Sequence, residues 1–341
     1  MDIYATVAML EALRSLRRVP KFLLSLFFPG YSLSDDEQIK FDVEIDNVQI
    51  APFVAPTAPG HVLRDKGRRT DTFTPAYVKP LHDIKPNEPL VRTMGEPIAG
   101  TLSASEREQL ILVQKLDLQQ NMIHRRLEVM AAEAVVHGRV TVVGEDYPTA
   151  VVDFGRDPDL TITLAGGARW GEAGVSPFDS LDAFLDLVST ECGAAVNVVV
   201  MTVDAWRLLR DDPKTDKALD QTRGQTSIAE LGFKPGEPGT PVYRGRIGDV
   251  EIYTYNDSYE DVDGSTKNLL PDHTVIVGAT GAVAGVRHFG AILDPDAGYQ
   301  ALEIYPKSWT QPNPARRFIM SQSAPMVVPR RPNAVGRMKV R

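Results

Sequence analysis

The sequence contains a single cysteine, Cys192, so no disulfide can form within the chain. A framework of disulfides is typical of small secreted domains, and its absence favours folding in a reducing compartment. Cys192 follows an apolar helical pattern and precedes Gly193. This position predicts a buried structural thiol, and a reactive thiol is the less favoured alternative.

The chain also lacks an excess of positive charge, because 37 Lys and Arg face 45 Asp and Glu and give a net charge of -8. Proteins that grip DNA usually show a basic excess, since phosphate contacts provide most of their non-specific affinity. The balance fits a container for nucleic acid, and it fits many acidic enzymes equally well. An apolar fraction of 43% excludes disordered and collagen-like chains.

Long hydrophobic runs are missing as well. The apolar stretch at residues 22–28 follows several basic residues, but it is far shorter than the ~20 residues that span a bilayer. It ends at Pro29-Gly30, and no small-residue cleavage site follows. We therefore expect neither secretion nor membrane insertion. An apolar patch on a flexible arm is instead predicted to dock on a partner.

Motifs for common chemistry are not found either. Gly166-Gly167 lacks the Gly-Lys-Ser/Thr that completes a phosphate-binding loop. The six histidines show no metal-ligand spacing. Residues 261–264 resemble part of a calcium loop, but the flanking positions lack the required acids, which favours a turn. The sequence therefore predicts no cofactor, no metal and no enzymatic activity, although catalytic groups can converge from distant positions.

What the sequence does contain is an unusual proline-rich segment at residues 41–97. Strand-like runs at 41–45 and 48–54 precede a mostly basic cluster at 64–69 and a series of prolines. Prolines at this density forbid a helix and the middle of a sheet. Because aromatic and β-branched residues argue against a disordered linker, we predict an ordered hairpin arm that reaches a neighbouring subunit.

Residues 103–137 predict one long helix. Ser103 with Glu106, or Ser105 with Glu108, forms a capping box, and Gly138 ends the pattern. Its ~35 residues give a rod of about 50 Å. Apolar residues form two stripes along it, one of Leu112, Leu116, Ile123, Leu127, Met130 and Ala134, the other of Leu118, Met122, Val129 and Val136. The second stripe faces other protein or belongs to one broad core face.

The remaining elements indicate a mixed α/β chain. Residues 1–18 predict a short amphipathic helix with Ile3, Val7, Leu10 and Leu13 on its apolar stripe. Residues 139–154 predict a hairpin, and strands and helices alternate from residue 176. Within that alternation we predict a helix capped by Asp204 and a strand at 282–286.

The last 26 residues hold seven Lys and Arg and no acid. Such a segment is either a DNA-facing tail or a set of strands whose cations pair with the acidic remainder of this or a neighbouring subunit. The strand-like pattern at 318–328 favours pairing between subunits.

Several segments together resemble the lambda-type major capsid protein family (the capsid protein E family), in order along nearly the whole chain. They are residues 22–28, 73–80, 268–272 with 274–278, and most specifically 305–309 continuing through 314–316 to 322–326. The resemblance implies an α+β fold of the Hong Kong 97 type. Its expected parts are an N-terminal arm (1–40), an extended E-loop (41–97), a peripheral domain with a spine helix on a β-sheet (98–175, helix 103–137), an α/β axial domain (176–304) and C-terminal strands returning to the peripheral domain (305–341).

The same resemblance implies a virion protein of a tailed bacteriophage that forms hexamers and pentamers of an icosahedral shell around double-stranded DNA. The expected partners are further copies of the chain, a scaffolding protein, a portal and a decoration protein, with assembly in the host cytoplasm and no membrane. The alternatives are another virion structural protein, such as a tail-tube subunit, and a cytoplasmic α/β enzyme. The candidates for contact between subunits are Phe27, Phe28, Lys66, Arg68, Arg69, Phe73, Tyr77, Arg316, Arg317, Arg330 and Arg331.

Overall fold

The computed structural model describes residues 3–16, 21–36, 38–45, 53, 56, 67–92, 96, 102–144, 147–218, 240–261 and 263–341. The helices in these residues are α1 (Thr6–Ser15), α2 (Phe22–Phe27), α3 (Ala104–His137), α4 (Pro177–Cys192), α5 (Val203–Arg210), α6 (Pro213–Ala218) and α7 (Thr280–Val283).

The strands are β1 (Gly30–Leu33), β2 (Ile39–Ile45), β3 (Gly67–Phe73), β4 (Leu81–Ile84), β5 (Arg139–Gly144), β6 (Tyr147–Asp153), β7 (Thr161–Thr163), β8 (Val198–Met201), β9 (Val242–Ile247), β10 (Val250–Thr254), β11 (Ser258–Glu260), β12 (Thr266–Asn268), β13 (Thr274–Gly278), β14 (Val286–Phe289), β15 (Tyr305–Gln311), β16 (Arg316–Gln322), β17 (Pro325–Val328) and β18 (Val335–Lys339). They form one six-stranded sheet, two three-stranded sheets and three hairpins.

The long helix α3 confirms the sequence prediction at both ends. Ser103 accepts the backbone N–H of Glu106, and the Glu106 side chain accepts that of Ser103, which is the predicted capping box. Gly138 ends the helix at φ 66°, a left-handed conformation that glycine adopts without steric cost. The helix has 34 residues. At ~1.5 Å per residue it forms a rod of about 50 Å.

The six-stranded sheet has the order β7-β18-β13-β8-β10-β9 and is covered on both faces. Alternate residues of β13 enter two different cores, because Ile276 packs with α2 and α3 while Val275 and Val277 pack with α4. Helix α4 lies so close that a Cβ on Gly336 would meet the side chains of Phe184 and Val188 at 2.7 Å. The mixed α/β prediction for this part of the chain is confirmed.

The proline-rich segment forms the predicted hairpin, with β2 and β3 paired antiparallel from Ile39–Phe73 to Ile45–Gly67. Ile39, Phe41 and Val43 are buried, and the Phe41 ring lies 6.2 Å from that of Phe154. The base of the hairpin is therefore part of the subunit's own core. The predicted run at 48–54 lies outside the described residues, apart from position 53.

Two local predictions are wrong. Helix α5 is capped by Thr202, whose hydroxyl accepts the N–H of Ala205, whereas Asp204 lies in the first turn and pairs with Arg207. Residues 280–283 form α7, not a strand. Ala284 then turns at φ 42°, and β14 begins at Val286. Thr202 and Asp204 are both residue types that cap helices, so the local sequence alone does not decide which of them begins α5.

The predicted stripe of the first helix is also corrected. Met9 and Leu13 are buried on α1, whereas Val7 is 64% exposed. The reason is that α1 packs on α3 and shares a small core with Ile111 and Leu112, so its orientation follows the face that α3 offers.

The C-terminal strands divide between three sheets. β16 lies between β15 and β4, β17 pairs with β14, and β18 lies between β7 and β13 in the six-stranded sheet. β18 therefore pairs with one strand from the expected peripheral range, β7, and with one from the expected axial range, β13. Its buried Val335 and Met338 contribute to the two cores on opposite faces of that sheet.

Candidate assembly surfaces

The apolar segment at 22–28 does not dock on a partner as predicted. Phe27 and Phe28 have 0% exposure, because their rings lie against Gly278 and Gly285 of the same chain. A Cβ at Gly285 would lie 2.4 Å from Phe28 Cδ1 and from the Phe27 carbonyl oxygen. That carbonyl accepts the Gly285 N–H at 3.1 Å. Both phenylalanines are thus removed from the set of contact candidates.

A buried carboxylate fixes this arm segment to the long helix. Glu128 on α3 is fully buried, and its two oxygens accept the backbone N–H groups of Leu23 at 2.9 Å and Leu24 at 3.0 Å. The Tyr255 hydroxyl donates to the same carboxylate at 2.9 Å. The first N–H groups of a helix have no partner within the helix, so Glu128 satisfies two of them in α2.

Burial dominates the electrostatics around Glu128. Burial raises the pKa of Glu128 above its ordinary value, while the two N–H groups, Tyr255 and Lys21 act in the opposite direction. Burial and the charges of Glu128 and Asp257 raise the pKa of Tyr255. Burial and Arg125 lower the pKa of Lys21. Arg125 itself pairs with Asp257 at 2.5 Å. Glu128 lies inside an apolar run of the sequence, and an acid in that position is the signal from which this site could be predicted.

The hairpin cations that we predicted as contacts are only partly placed. Lys66 lies outside the described residues, as does the side chain of Arg68. Arg69 donates to Asp71 at 2.6 Å and to the Asp153 carbonyl at 2.7 Å, so it ties the hairpin base to β6. Phe73 is half-buried and packs against the main core.

Tyr77 has partners within the chain. Its hydroxyl donates to the Ala291 carbonyl at 2.6 Å and accepts the Leu293 N–H at 3.2 Å, while Lys79 lies 4.7 Å from its ring centroid. Val78 forms a bridge with Ser323. The extended segment at 74–80 is therefore held along the C-terminal strands of its own chain.

The C-terminal arginines also find partners within the chain. Arg316 pairs with Asp83 at 3.3 Å, and Arg330 pairs with Glu44 of the hairpin at 2.8 Å. Arg331 donates to the Cys192 carbonyl at 2.6 Å, and the Arg317 guanidinium lies 3.6 Å from the Tyr4 ring centroid. Pairing with the acidic remainder of the chain is thus confirmed for Arg316 and Arg330. The favoured form, pairing between subunits, stays a prediction, since both side chains are about half-exposed.

The second stripe of α3 is divided between core and surface. Val129 and Val136 are buried, whereas Leu118 and Met122 are 46% and 45% exposed. Nearer the start of the helix, two ion pairs join α3 to the preceding segment, Glu88–Lys115 at 2.9 Å and Glu96–Arg107 at 2.8 Å. Beyond these ion pairs, Leu118 and Met122 form an apolar window on the long helix.

Cys192 is 2% exposed and its Sγ contacts the Ala194 carbonyl at 3.3 Å, which confirms the buried thiol. Within the described ranges, no three His, Cys, Asp or Glu side chains come together as metal ligands. None of the helices in those ranges combines the length and apolar character needed to cross a bilayer.

The chain combines an arm held by a buried carboxylate, a hairpin rooted in the core and a long helix with an apolar window. These features are typical of a structural subunit that carries arms. The family model for phage major capsid protein E matches residues 5–340, and the chain belongs to that family. The major capsid protein of Escherichia phage lambda is 33% identical over 333 residues, which cover 96% of each chain. That of Enterobacteria phage phi80 is 32% identical over 345 residues, 100% of each.

The solved structures agree with this membership. A protein assigned as the capsid protein of a prophage in E. coli CFT073 is 26% identical, covers 98% of this chain and 99% of its own, and superimposes with a TM-score of 0.76. A capsid subunit of cyanophage A-1(L), at 11% identity, covers 96% of both chains with a TM-score of 0.52 and shares the fold alone. The α+β fold is the Hong Kong 97-type capsid fold that the sequence resemblance implied.

Proposed function

We propose that this chain is the major capsid protein of a tailed double-stranded DNA bacteriophage, and that its copies form the hexamers and pentamers of an icosahedral shell around the genome. The observation that carries the proposal is the end-to-end match to the lambda and phi80 major capsid proteins, at 96% and 100% of the chain. A partial match would allow a shared domain with another role. A match over the full length leaves the same set of surfaces available for the same kind of assembly.

The architecture supports the proposal through its division into a body and extensions. The body is a single packed unit, because α3, the six-stranded sheet and the arm helix α2 share one core. The hairpin is anchored at its base by Arg69 and by Glu44–Arg330, so its tip at residues 46–66 is connected to a fixed point. Obligate protein interfaces bury on the order of 2,000–5,000 Å². We infer that the hairpin tip, with Lys66 and Arg68, supplies part of that area on a neighbouring copy.

We further propose the division of the chain into an arm (1–40), E-loop (41–97), peripheral domain (98–175), axial domain (176–304) and C-terminal strands (305–341), with β18 assigned to the axial sheet. Scaffolding, portal and decoration proteins are the proposed partners. Assembly is proposed to take place in the host cytoplasm before the protein becomes part of the virion.

The experiment that tests the function is electron microscopy of the full-length protein, expressed with and without its scaffolding protein. Closed shells of uniform diameter are the expected result, and their diameter gives the lattice size. Tubes in place of shells would indicate that the protein is a tail-tube subunit. Small discrete oligomers under both conditions would contradict self-assembly and favour the enzyme alternative.

A further inference from the structure

Basic side chains gather at the C-terminal end of α3. Arg156 donates to the carbonyl oxygens of Val135 at 2.5 Å and Val136 at 2.8 Å, the last turn of that helix. Its Nη2 also donates to Thr161 Oγ1 at 2.8 Å. Thr161 on β7 is paired in register with Arg337 on β18. Paired residues on adjacent strands project from the same face of the sheet, so the two guanidinium groups are neighbours.

His137 and Arg139 complete the group from either side of Gly138. Burial lowers the pKa of His137, and Arg337, Arg139 and Arg156 lower it further, as expected when like charges surround a titratable ring. Burial and Arg337 lower the pKa of Arg156 to about 10. Arg156, Arg337 and Arg139 therefore lie around His137 at the end of α3, and we call these four residues the α3-end cluster.

The positive charge of this cluster is only partly balanced within the described part of the chain. There, Arg139 lies opposite Asp153 in the β5–β6 ladder without forming an ion pair, whereas Arg337 has no acid as a cross-strand partner, and the Nε atoms of Arg156 and Arg337 are buried without an acceptor. Asp153 lies near enough to Arg156 to act on its pKa, but forms no ion pair with it. The carbonyl end of α3 supplies about half a negative charge. A partly buried cation without a counter-charge is costly, so the cluster is suited to receive an anion.

The chemistry of the cluster favours a carboxylate. A guanidinium presents parallel N–H groups that match the two oxygens of a carboxylate. Each copy of the chain carries 45 acids against 37 basic residues, so a second copy has an excess of carboxylates. Binding to the DNA backbone uses basic side chains spread along many phosphates, whereas these four are confined to one helix end.

We propose that, in the assembled particle, the α3-end cluster binds an Asp or Glu side chain of a neighbouring copy. The inference rests on the proposed function, because it requires that copies assemble. It adds a specific polar site on the body of the subunit to the contact proposed for the hairpin tip.

Zero-length cross-linking identifies such a partner directly. The variant Arg337→Lys keeps the charge and places a primary amine in the cluster, which a carbodiimide joins to a carboxylate in direct contact by forming an amide with loss of water. Shells are assembled from equal amounts of ¹⁴N- and ¹⁵N-labelled protein, cross-linked and analysed by mass spectrometry. Arg139→Lys, at an exposed position, serves as a second variant if the first fails to fold.

The expected result is a cross-linked peptide pair that contains position 337 or 139, an Asp or Glu, and both isotopes. The control is Arg207→Lys, whose exposed parent arginine pairs with Asp204 of its own chain, so its cross-links should carry one isotope. Shell formation is scored first by microscopy and tests the proposed function separately. Shells that form normally but give no mixed-isotope product at either position overturn the inference while leaving the function intact.

A neutral variant gives a second readout. Arg337→Met should leave the unfolding midpoint of the unassembled chain unchanged or raised, because it removes an uncompensated charge. It should weaken association between copies by roughly tenfold, the value of one charge-assisted hydrogen bond. A lowered midpoint with unchanged association would indicate a role within the subunit alone. A defect confined to DNA-filled shells would assign the cluster to phosphate. Either result overturns the proposal.

Discussion

Replacing Glu128 by alanine removes the acceptor of three buried donors. The N–H groups of Leu23 and Leu24 and the hydroxyl of Tyr255 all point at this carboxylate over 2.9–3.0 Å. The substitution leaves the two N–H groups facing a small cavity inside the subunit, whereas the Tyr255 hydroxyl can donate to Asp257, 3.2 Å away. It thereby tests whether the arm segment is held by this carboxylate or by apolar packing alone.

The size of the effect follows from the number of donors left without partners. Each buried unsatisfied polar group costs about 1–3 kcal/mol. Part of the sum is recovered, since a carboxylate is no longer buried. We therefore expect a loss of about 3–5 kcal/mol, the range measured when one partner of a buried charged network is removed. Small domains are stable by ~5–15 kcal/mol, so the variant should still fold.

The assay combines urea unfolding of the unassembled chain with hydrogen exchange of the peptide that covers α2. The variant should lower the free energy of unfolding, and the Leu23 and Leu24 amides should exchange faster than in the wild type. The matched control is Glu133→Ala, because Glu133 on the same helix accepts a single N–H, that of Thr141. Its expected cost is about 0.5–1.5 kcal/mol, because Thr141 is exposed and its N–H can bond water instead.

A loss at Glu128 no greater than that at Glu133, with unchanged exchange at α2, would refute the reasoning. In that case the arm would be held by the Phe27 and Phe28 contacts, and the carboxylate would contribute little beyond its own burial.

Further predictions concern pH, packing and assembly. The pKa of Glu128 is raised by folding. Its contribution to stability is therefore present below the unfolded pKa and is lost as pH rises through the folded pKa. The free energy of unfolding should accordingly fall less steeply with rising pH for Glu128→Gln than for the wild type. Gly285→Ala should cost at least ~1–3 kcal/mol in thermal unfolding, while Gly281→Ala, with open space around it, should change little. Deleting hairpin residues 57–66 should leave a chain that is folded by circular dichroism but fails to close shells. The wider deletion 60–72 would also remove most of β3 and expose the core. Shells of normal size from the 57–66 variant would contradict a role for the tip. Leu118→Gln with Met122→Gln should leave unfolding within ~0.5 kcal/mol and reduce assembly measured by light scattering; unchanged assembly would show that the window is solvent-facing in the particle.

Features determined by nearby residues could be read from the sequence. The capping box at Ser103 and the glycine stop at Gly138 both depend on interactions a few residues apart. The overall fold class followed from the order of such elements and from the family resemblance.

Features determined by distant residues could not be read in this way. The burial of Phe28 depends on Gly285, and the pairing of Arg330 depends on Glu44, each more than 250 positions away. A run of apolar or basic residues has the same appearance whether its partner lies in the same chain or in a neighbour. For that reason, residues that we assigned to contacts between subunits have partners within their own chain.

The position of β18 has a consequence for synthesis on the ribosome. β7 and β13 each pair with β18, and β18 follows both of them in the chain. A nascent chain therefore exposes the free edges of these two strands until residues 335–339 have emerged, and free edges invite pairing with other chains. Because β18 is translated after the other strands of this sheet, a newly made subunit completes the sheet only when residues 335–339 have been added. Chaperones that bind open strand edges would then act before shell assembly begins.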